Sequence, residues 1–531
     1  MRQIPPAHRP PAGVDLRKKA GVPTFPPINR SPVMDHLARL KDRLATIADL
    51  EAATAVLGWD QHTYMPRGSV EARVRQLTTL QSMSHQLLAA DETEDLVAAL
   101  EARRGELEPL AARLLTVVRR DLDQARRLPA ELVRRKSEAT GRALDAWMSC
   151  RPNNDFASYR PHLEGIFAIV REEAEALGYP DQPYDALLNR FEPGMPTRRL
   201  AAVFQELKEG LLPLLRQVLE RVDQVEDAFL HRSYDVDLQW QLGLRILQEM
   251  GYDFNRGRQD KSPHPFTTSF GIPDVRITTR VNEHDFRTAL FGTIHEGGHA
   301  LYEQNFDPRF DRGPLAQGSS LGIHESQSRL WENLVGRSRP FWNRWFGEVK
   351  AMFPAALEGV GFQQFYAAIN RVRPSLIRVE ADELSYNLHI FIRFELELEL
   401  LSGRLAVADL PAAWNAKMKE NLGVEPPSDA DGCLQDMHWA DAAVGYFPTY
   451  ALGNLYGVQI FRQARHDLPD LDGQISSGRL APLKDWLVER VYRPARGLDP
   501  GDLLRQVTGA ELSPQPWLDY VREKYGEIYG L

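Results

Sequence analysis

Two histidines four positions apart, with a glutamate directly after the first, lie in the segment TALFGTIHEGGHALYEQN at residues 288 to 305. On an α-helix, residues i and i+4 lie on the same face, so His295 and His299 direct two imidazoles at one point. That geometry suits a zinc ion. Glu296 lies about 100° around the helix, so it is poorly placed as a third ligand but can act on a nearby water molecule. These residue types in this spacing therefore indicate hydrolysis by metal-activated water.

A third protein ligand has to come from another segment, and Glu325 in GSSLGIHESQSRLWENLVG is the candidate. An Asn-Glu pair soon after the histidines, as in thermolysin-like enzymes, is absent, and so is the third histidine of the metzincin motif. Glu332 is the fallback ligand. The alternative interpretation is an exposed helix on which Glu325 forms an ion pair with Arg329 at i+4, the usual fate of such a glutamate.

The elements that must position these side chains are mainly helices. After residue 34, apolar residues recur at intervals of three and four and form one apolar face, beginning with Leu37, Leu40, Leu44, Ile47 and Leu50. Similar patterns run through VFQELKEGLLPLLRQVLERV, LHIFIRFELELELLSGRL and LVERVYRPARGLDPGDLLRQV. No fixed-period repeat and no linker divides this part of the chain. We predict a mainly all-α fold in which residues 34–531 form a single large domain with two lobes.

One segment departs from the helical pattern. In HPFTTSFGIPDVRITTRV, residues 264 to 281, β-branched and aromatic residues surround the turn signal GIPD. Side chains of a strand alternate between two faces, so Asp274, Arg276, Thr278 and Arg280 would project to the same side. We predict a small β-hairpin beside the metal helix, suited to form a wall for an extended peptide.

Composition and charge exclude several classes of protein. The chain has 531 residues, of which 26% are charged and 43% hydrophobic, as in soluble globular proteins. A net charge of -9, spread along the sequence, argues against a nucleic-acid binder, which needs a basic face. Cys150 and Cys433 are the only cysteines, which disfavours a disulfide scaffold and fits a reducing compartment. No apolar run is long enough to span a membrane.

The first 33 residues form a separate segment. The stretch MRQIPPAHRPPAGVDLRKKAGVPTFPPINRSPV is rich in proline and lacks the apolar centre of a signal peptide. We predict a disordered extension over residues 1–33 and a cytoplasmic location for the protein.

Several motifs together resemble one known family. HEGGH followed by HESQSRLWEN is similar to the thermostable, Taq-type carboxypeptidases, which are cobalt- or zinc-dependent HEXXH peptidases of the gluzincin kind. The family's other motifs are matched in the same order by LGWDQHTYMPRGSVEAR, HPFTT, DVRITTR, PSLIRVEADELSYNLHI and GCLQDMHWADAAVGYFPTYALGNLYG. The resemblance covers about residues 34–531, and several motifs in register are far more specific than HEXXH alone.

The resemblance implies groups that stabilise the tetrahedral oxyanion formed when a peptide bond is attacked. His438 and a tyrosine of DMHWADAAVGYFPTYALGN would supply hydrogen-bond donors there. Tyr450 is favoured over Tyr446. The alternative interpretation is a packed aromatic cluster of Tyr446, Phe447 and Tyr450 whose hydroxyls are satisfied by their neighbours.

Release of a C-terminal residue also requires recognition of a free carboxylate, which the planar fork of arginine does well. The family motif makes Arg378 in SLIRVEADE the first choice and Arg276 on the predicted strand the second. His264 in HPF would line the groove. The alternative for Arg378 is a structural ion pair with one of the carboxylates that follow it, Glu380, Asp382 or Glu383.

These residues together lead to an expected function. We expect a metallocarboxypeptidase, whose specificity the resemblance implies to be broad, with one divalent ion per chain held by His295, His299 and Glu325 and with Glu296 as general base. Zinc is favoured, although this ligand set also accepts cobalt or manganese. The resemblance implies peptides with a free C-terminus as substrates, a deep groove closed at one end, and a homodimer. The alternatives are an oligopeptide metalloendopeptidase and a non-catalytic peptide-binding protein on the same fold.

Overall fold

The computed structural model describes residues 32–531, and this part of the chain is mainly helical with one small sheet. The predicted fold class is confirmed. The predicted disordered extension lies outside the described residues except for its last two, which open the first helix. Across residues 32–531, no helix has both the length and the apolar character needed to cross a membrane.

Nine helices precede the sheet in the described chain. They are α1 (Pro32–Thr63), α2 (Val70–Ala89), α3 (Asp91–Glu101), α4 (Pro109–Arg127), α5 (Ala130–Cys150), α6 (Phe156–Leu177), α7 (Pro183–Leu188), α8 (Thr197–Leu219) and α9 (Val236–Met250). The strands are β1 (Gln259–Lys261), β2 (Thr267–Ser269) and β3 (Val275–Thr279).

The helices after the sheet contain the metal segment. They are α10 (Phe286–Gln304), α11 (Leu321–Arg329), α12 (Arg339–Met352), α13 (Phe362–Ile369), α14 (Tyr386–Leu401), α15 (Leu410–Leu422), α16 (Pro448–Asp467), α17 (Leu471–Ser476), α18 (Ala481–Leu487), α19 (Pro500–Thr508) and α20 (Gln515–Tyr529). Two π-helical segments, Leu330–Gly336 and Val488–Tyr492, directly follow α11 and α18.

The helical periodicities correspond to real helices with one exception. In α1 the predicted apolar face is buried at Leu37, Leu40, Leu44 and Ile47, and α8 and α14 contain all but the last three or four residues of the next two patterns. The third pattern, residues 487–507, is divided into a π-helical segment, a short 3-10 turn and α19. Pro494 and Pro500 lie within it, and proline cannot donate the backbone hydrogen bond that a continuous helix needs.

The sheet has three strands rather than the two of the predicted hairpin. Strands β2 and β3 pair antiparallel with Thr268 opposite Arg276, so the hairpin is confirmed. Strand β1 pairs parallel with the other edge of β3, with Gln259 opposite Ile277. The sequence did not indicate β1 because its residues, Gln-Asp-Lys, show no apolar alternation.

The sheet is bonded directly to α10. Gln259 Nε2 donates to Thr293 Oγ1 at 3.0 Å, and the hydroxyls of Thr293 and Thr279 are 3.1 Å apart. Val275 and Ile277 of β3 are fully buried. The sheet therefore acts as a fixed wall along the helix that carries the histidine pair.

Candidate metal centre

Helix α10 presents the two histidines side by side. The carboxylate of Asp285 caps the helix by accepting from the backbone N–H of Arg287. The rings of His295 and His299 have centroids 5.0 Å apart. Their spacing in the sequence predicts this arrangement, because residues i and i+4 share a helix face.

The two glycines between these histidines allow α10 to pack closely against its neighbours. A Cβ atom on Gly298 would lie 2.6 Å from the carbonyl oxygen of Gln327 and 2.7 Å from Cα of Ser328, both backbone atoms of α11. A Cβ on Gly297 would lie 2.6 Å from Leu247 Cδ2, a side-chain atom of α9. Only glycine permits the approach of α10 to α11 at residue 298, so helix packing explains the glycine at that position of the motif.

We expect Gly298→Ala to lower the free energy of unfolding by about 1–3 kcal/mol, because the added methyl overpacks two backbones that cannot move independently. The added methyl should also push α10 away from α11. Because the two histidines lie on α10 and Glu325 lies on α11, this displacement should weaken divalent-metal binding. Gly297→Ala is the matched control, since its methyl meets a side chain that can rotate. Denaturant unfolding and competition with a chelator measure both effects; equal behaviour of the two variants would contradict this packing argument.

Helix α11 places Glu325 opposite the two imidazoles. Ser320 caps α11 by accepting from the backbone N–H of Ile323 at 3.0 Å. Glu325 Oε2 lies 3.6 Å from His295 Nε2 and 3.4 Å from His299 Nε2. One donor atom from each residue lies within 4.8 Å of the other two. Two imidazoles and one carboxylate converging in this way fit a divalent cation with a coordination position left open.

Helix α16 packs against the other side of Glu325. A Cβ on Gly453 would lie 2.5 Å from Glu325 Cγ, and one on Gly457 would lie 3.1 Å from the carbonyl oxygen of Ser326. Two glycines one turn apart thus bring α16 onto the backbone of α11. This contact restricts the side chain of Glu325 to the side that faces the histidines.

The surroundings favour the metal-binding charge state at Glu325 and His299, and act in the opposite direction on His295. Burial alone would raise the pKa of Glu325, but the Arg329 guanidinium and the two imidazoles outweigh it and hold that pKa well below its usual range. Burial lowers the pKa of His299. Burial acts in the same direction on His295, but the carboxylates of Glu325 and Glu332 outweigh it and raise its pKa. The surroundings of His295 therefore favour positive charge.

Glu332, the fallback ligand, lies on the far side of His295. Its Oε2 atom is 2.9 Å from His295 Nδ1, the ring nitrogen that faces away from Glu325. Arg329 Nη1 and Arg337 Nη2 donate to the same carboxylate at 3.3 Å and 3.2 Å. Glu332 therefore orients the imidazole and fixes which nitrogen is free for a metal.

His299 has an outer partner of its own. Its Nδ1 atom is 2.6 Å from Nδ1 of His324, and His324 Nε2 is 2.7 Å from Glu303 Oε1. A carboxylate thus acts on His299 through a second imidazole. Neither His324 nor Glu303 was predicted from the sequence to take part in the site, although His324 directly precedes the candidate ligand in the motif HES.

Glu296 lies beside the three-donor group without belonging to it. It is 7% exposed, and the hydroxyl of Thr267 on β2 lies 2.7 Å from its Oε2 atom. The same hydroxyl is 3.0 Å from the backbone carbonyl oxygen of Glu296. The HPFTT motif thus contributes a side chain that fixes the glutamate carboxylate.

His438, Tyr446 and Tyr450 form one cluster. His438 Nε2 is 3.3 Å from the Tyr450 hydroxyl, and the two tyrosine rings have centroids 5.3 Å apart. Burial lowers the pKa of His438 to about 4, so this imidazole is neutral near pH 7. Burial, aided by the charge of Glu325, raises the pKa of Tyr446. The packed aromatic cluster of the alternative interpretation is present, and it lies within electrostatic reach of Glu325.

Arg378 is held by a carboxylate that is distant in sequence. Its Nε and Nη2 atoms donate to Asp436 Oδ1 at 3.1 Å and 2.9 Å, and Nη1 donates to the hydroxyl of Tyr386 at 3.0 Å. The guanidinium lies 4.8 Å from the ring centroid of Tyr450, which joins Arg378 to the His438 cluster. Arg378 does form an ion pair, but with Asp436 instead of the carboxylates that follow it.

Arg276 and His264 lie on the sheet side and, among the described residues, are not bonded to this cluster, although the charge of Arg378 acts on His264. Asp274 accepts from Nε and Nη2 of Arg276 at 3.0 Å and 2.8 Å, and the guanidinium lies between the rings of Trp59 and Phe270. His264 is exposed; partial burial and the charges of nearby arginines lower its pKa. Within residues 32–531, neither side chain forms a hydrogen bond or ion pair with the three-donor group or with Arg378.

Comparison with known proteins identifies the family. The model of the carboxypeptidase Taq (M32) metallopeptidase family matches residues 39–525. Carboxypeptidase 1 of Bacillus subtilis is 38% identical over 92% of this chain and 97% of its own length. Thermostable carboxypeptidase 1 of Thermus thermophilus is 41% identical, over 91% of this chain and 97% of its own. The crystal structure of an M32 carboxypeptidase from Deinococcus radiodurans superposes with a TM-score of 0.91 and 43% identity, covering 94% of this chain and 100% of that one. The chain therefore belongs to the carboxypeptidase Taq (M32) family of metallopeptidases.

Proposed function

We propose that the chain releases C-terminal amino acids from peptides by means of one divalent ion held by His295, His299 and Glu325. Membership of the family makes it a metallocarboxypeptidase. The observation that carries the ligand assignment is the convergence of three buried or half-buried donor atoms within 4.8 Å of one another. The relatives are named carboxypeptidases, which disfavours the endopeptidase and non-catalytic alternatives.

We propose zinc as the ion, because two imidazoles and one carboxylate with an open position are typical of catalytic zinc sites. Cobalt and manganese accept the same donors. A bound ion supplies Lewis acidity that polarises a carbonyl and makes a water molecule more acidic. Elemental analysis of protein purified without added metal tests the choice of ion.

Glu296 acts as the general base. Its carboxylate, held by Thr267, takes the proton of the attacking water and then passes it to the nitrogen of the departing amino acid. Because the Thr267 contact restricts rotation of the carboxylate, the proton-accepting oxygen has a defined direction. The role is separate from metal binding, since Glu296 lies outside the three-donor group.

The His438 cluster stabilises the oxyanion of the tetrahedral intermediate. A neutral imidazole and a phenol can each donate a hydrogen bond, and both raised tyrosine pKa values keep the phenols protonated at neutral pH. We favour Tyr450 over Tyr446 as the donor, because its hydroxyl is within 3.3 Å of His438 Nε2.

Arg378 binds the free carboxylate of the substrate. Three of its five N–H groups donate hydrogen bonds to Asp436 and Tyr386, so two stay free for an incoming carboxylate. Arg276 is the second choice because Asp274 already occupies its fork. His264, exposed in the loop between β1 and β2, lines the substrate groove in this proposal.

We expect a short peptide with a free carboxylate to yield a ladder that shortens only from its C-terminus when incubated with metal-loaded protein. The same peptide with an amidated C-terminus should resist, because an amide has no negative charge for Arg378. Mass spectrometry of timed samples distinguishes the two. Arg378→Ala should slow cleavage of the free-carboxylate peptide selectively; internal cleavage of the amidated peptide would contradict the proposal.

We propose four further properties, of which the family resemblance implies the specificity, the groove and the homodimer. They are broad side-chain specificity in a deep groove between two lobes, a single catalytic domain over residues 34–531, a homodimer, and a cytoplasmic location. Cleavage of a mixed peptide library tests the first, limited proteolysis the second, light scattering after gel filtration the third, and cell fractionation the fourth.

A further inference from the structure

We propose that Tyr386 is a positioning residue that links the metal centre to the arginine that holds the substrate carboxylate. The proposal deepens the function above and rests on the role given there to Arg378. It assigns different tasks to two parts of one side chain. The ring orients a guanidinium at the metal centre, and the hydroxyl orients the guanidinium at the carboxylate site.

Tyr386 is itself held firmly at the start of α14. It is 5% exposed, and its backbone N–H donates to the carbonyl oxygen of Asp382 at 3.0 Å. The edge of its ring faces the ring of Tyr450, with centroids 6.3 Å apart. A buried side chain with these constraints has little rotational freedom, so the groups that contact it are fixed in turn.

The ring contacts the metal centre through Arg329. The guanidinium carbon of Arg329 lies 4.4 Å from the Tyr386 ring centroid, within the distance of a cation–π interaction. Arg329 Nε donates to Glu325 Oε1 at 2.7 Å and Nη1 to Glu332 Oε2 at 3.3 Å. The guanidinium of Arg329 thus orients both carboxylates, that of the proposed ligand Glu325 and that of Glu332, which contacts His295.

The hydroxyl contacts Arg378 on the other side. Arg378 Nη1 donates to it at 3.0 Å, while Asp436 accepts from Nε and Nη2. Two acceptors at different edges of the guanidinium fix both its position and its rotation. A bidentate carboxylate requires this, because its two parallel hydrogen bonds need the fork in one plane.

Two substitutions separate the two tasks. Tyr386→Phe removes the hydroxyl and keeps the ring. We expect KM for an N-blocked dipeptide with a free carboxylate to rise about tenfold, the usual effect of losing a hydrogen bond to a charged group. The metal dissociation constant and kcat should change less than about twofold. Tyr386→Leu removes the ring as well and should additionally weaken metal binding by about 3- to 30-fold.

The control variant is Tyr234→Phe. In the unchanged protein the buried hydroxyl of Tyr234 donates to the carbonyl oxygen of Phe229 at 2.9 Å, so this variant also loses one buried hydrogen bond, but at a place outside the site. It should leave KM and metal affinity unchanged. A purely structural role for Tyr386 would make Tyr386→Phe behave like this control, and that result would overturn the proposal. Equal metal binding in Tyr386→Phe and Tyr386→Leu would overturn the part concerning the ring.

A double-substitution cycle with Arg378→Ala completes the test. If the hydroxyl acts through Arg378, the KM effect of Tyr386→Phe should vanish in the Arg378→Ala background. The same effect in both backgrounds would overturn the link. Unchanged KM in Arg378→Ala alone would refute the carboxylate role of Arg378. A raised KM in Arg378→Ala together with an unchanged KM in the single variant Tyr386→Phe would refute only the present inference.

Discussion

Replacing Glu296 by glutamine is expected to lower kcat by a factor of about 10² to 10⁴, the usual contribution of a general base. The amide side chain keeps the size of the original and an oxygen that accepts from Thr267, so the local structure should persist. It cannot take up a proton from water at neutral pH. Bound metal should stay at the wild-type level, because the three-donor group consists of His295, His299 and Glu325.

The control for this substitution is Glu358→Gln, which makes the same chemical change at an exposed position. It should have wild-type kcat, metal content and unfolding midpoint. Elemental analysis and steady-state kinetics on the same preparations separate loss of the base from loss of the metal. Full activity in Glu296→Gln would refute the proposed base, and metal loss in that variant would mean that Glu296 helps to hold the ion.

The local spacing of the sequence predicts only the pairing of His295 and His299, because both lie on the single helix α10. Two histidines at i and i+4 meet on any α-helix, so their pairing follows from the spacing alone. Glu325 lies on a different helix, and its proximity to the imidazoles depends on glycines that bring α10, α11 and α16 together. The sequence offered Glu325 as a candidate with Glu332 as the fallback, and the family resemblance supported the choice, because no local rule could decide between them.

Arg378 shows how nearby charges mislead. Three carboxylates follow it within five residues in the sequence, yet none of them is its hydrogen-bond partner. Asp382 accepts from the backbone N–H groups of Leu384 and Ser385, Glu383 pairs with Lys524, and Glu380 is exposed. The partner of Arg378 is Asp436, 58 residues away. Only the packing of the folded chain decides among such partners.

The fold was predicted at the level of class but not of detail. Long apolar periodicities correctly indicated helices such as α1 and α8, because burial of one face determines their spacing. Strand β1 carries only polar residues and is held by backbone pairing with β3, so its side chains give no signal. The outer partners Glu332, His324 and Glu303 likewise depend on how α11 crosses α10, and this crossing cannot be read from spacing.

Replacing Glu325 by alanine is expected to abolish metal binding and also to destabilise the metal-free protein. Loss of one of three proposed ligands should weaken metal binding by more than about 100-fold, the upper effect of removing an outer partner. In the metal-free protein the change removes the carboxylate that pairs with Arg329, while the guanidinium stays half-buried. Removing one partner of a buried ion pair costs about 3–5 kcal/mol. Because Glu332 still accepts from Arg329, we expect the lower end of that range.

Denaturant unfolding in the presence of a chelator measures the second effect without the first. The double variant Glu325→Ala/Arg329→Met also removes the guanidinium that has lost Glu325, and should regain much of the lost stability, since an apolar side chain can replace a buried charge. It should still fail to bind metal, because the carboxylate is absent. These results would separate the two roles of Glu325, as a metal ligand and as the ion-pair partner of Arg329. Stoichiometric metal in Glu325→Ala under chelator competition would refute the ligand role, and an unchanged unfolding midpoint without metal would refute the ion-pair role.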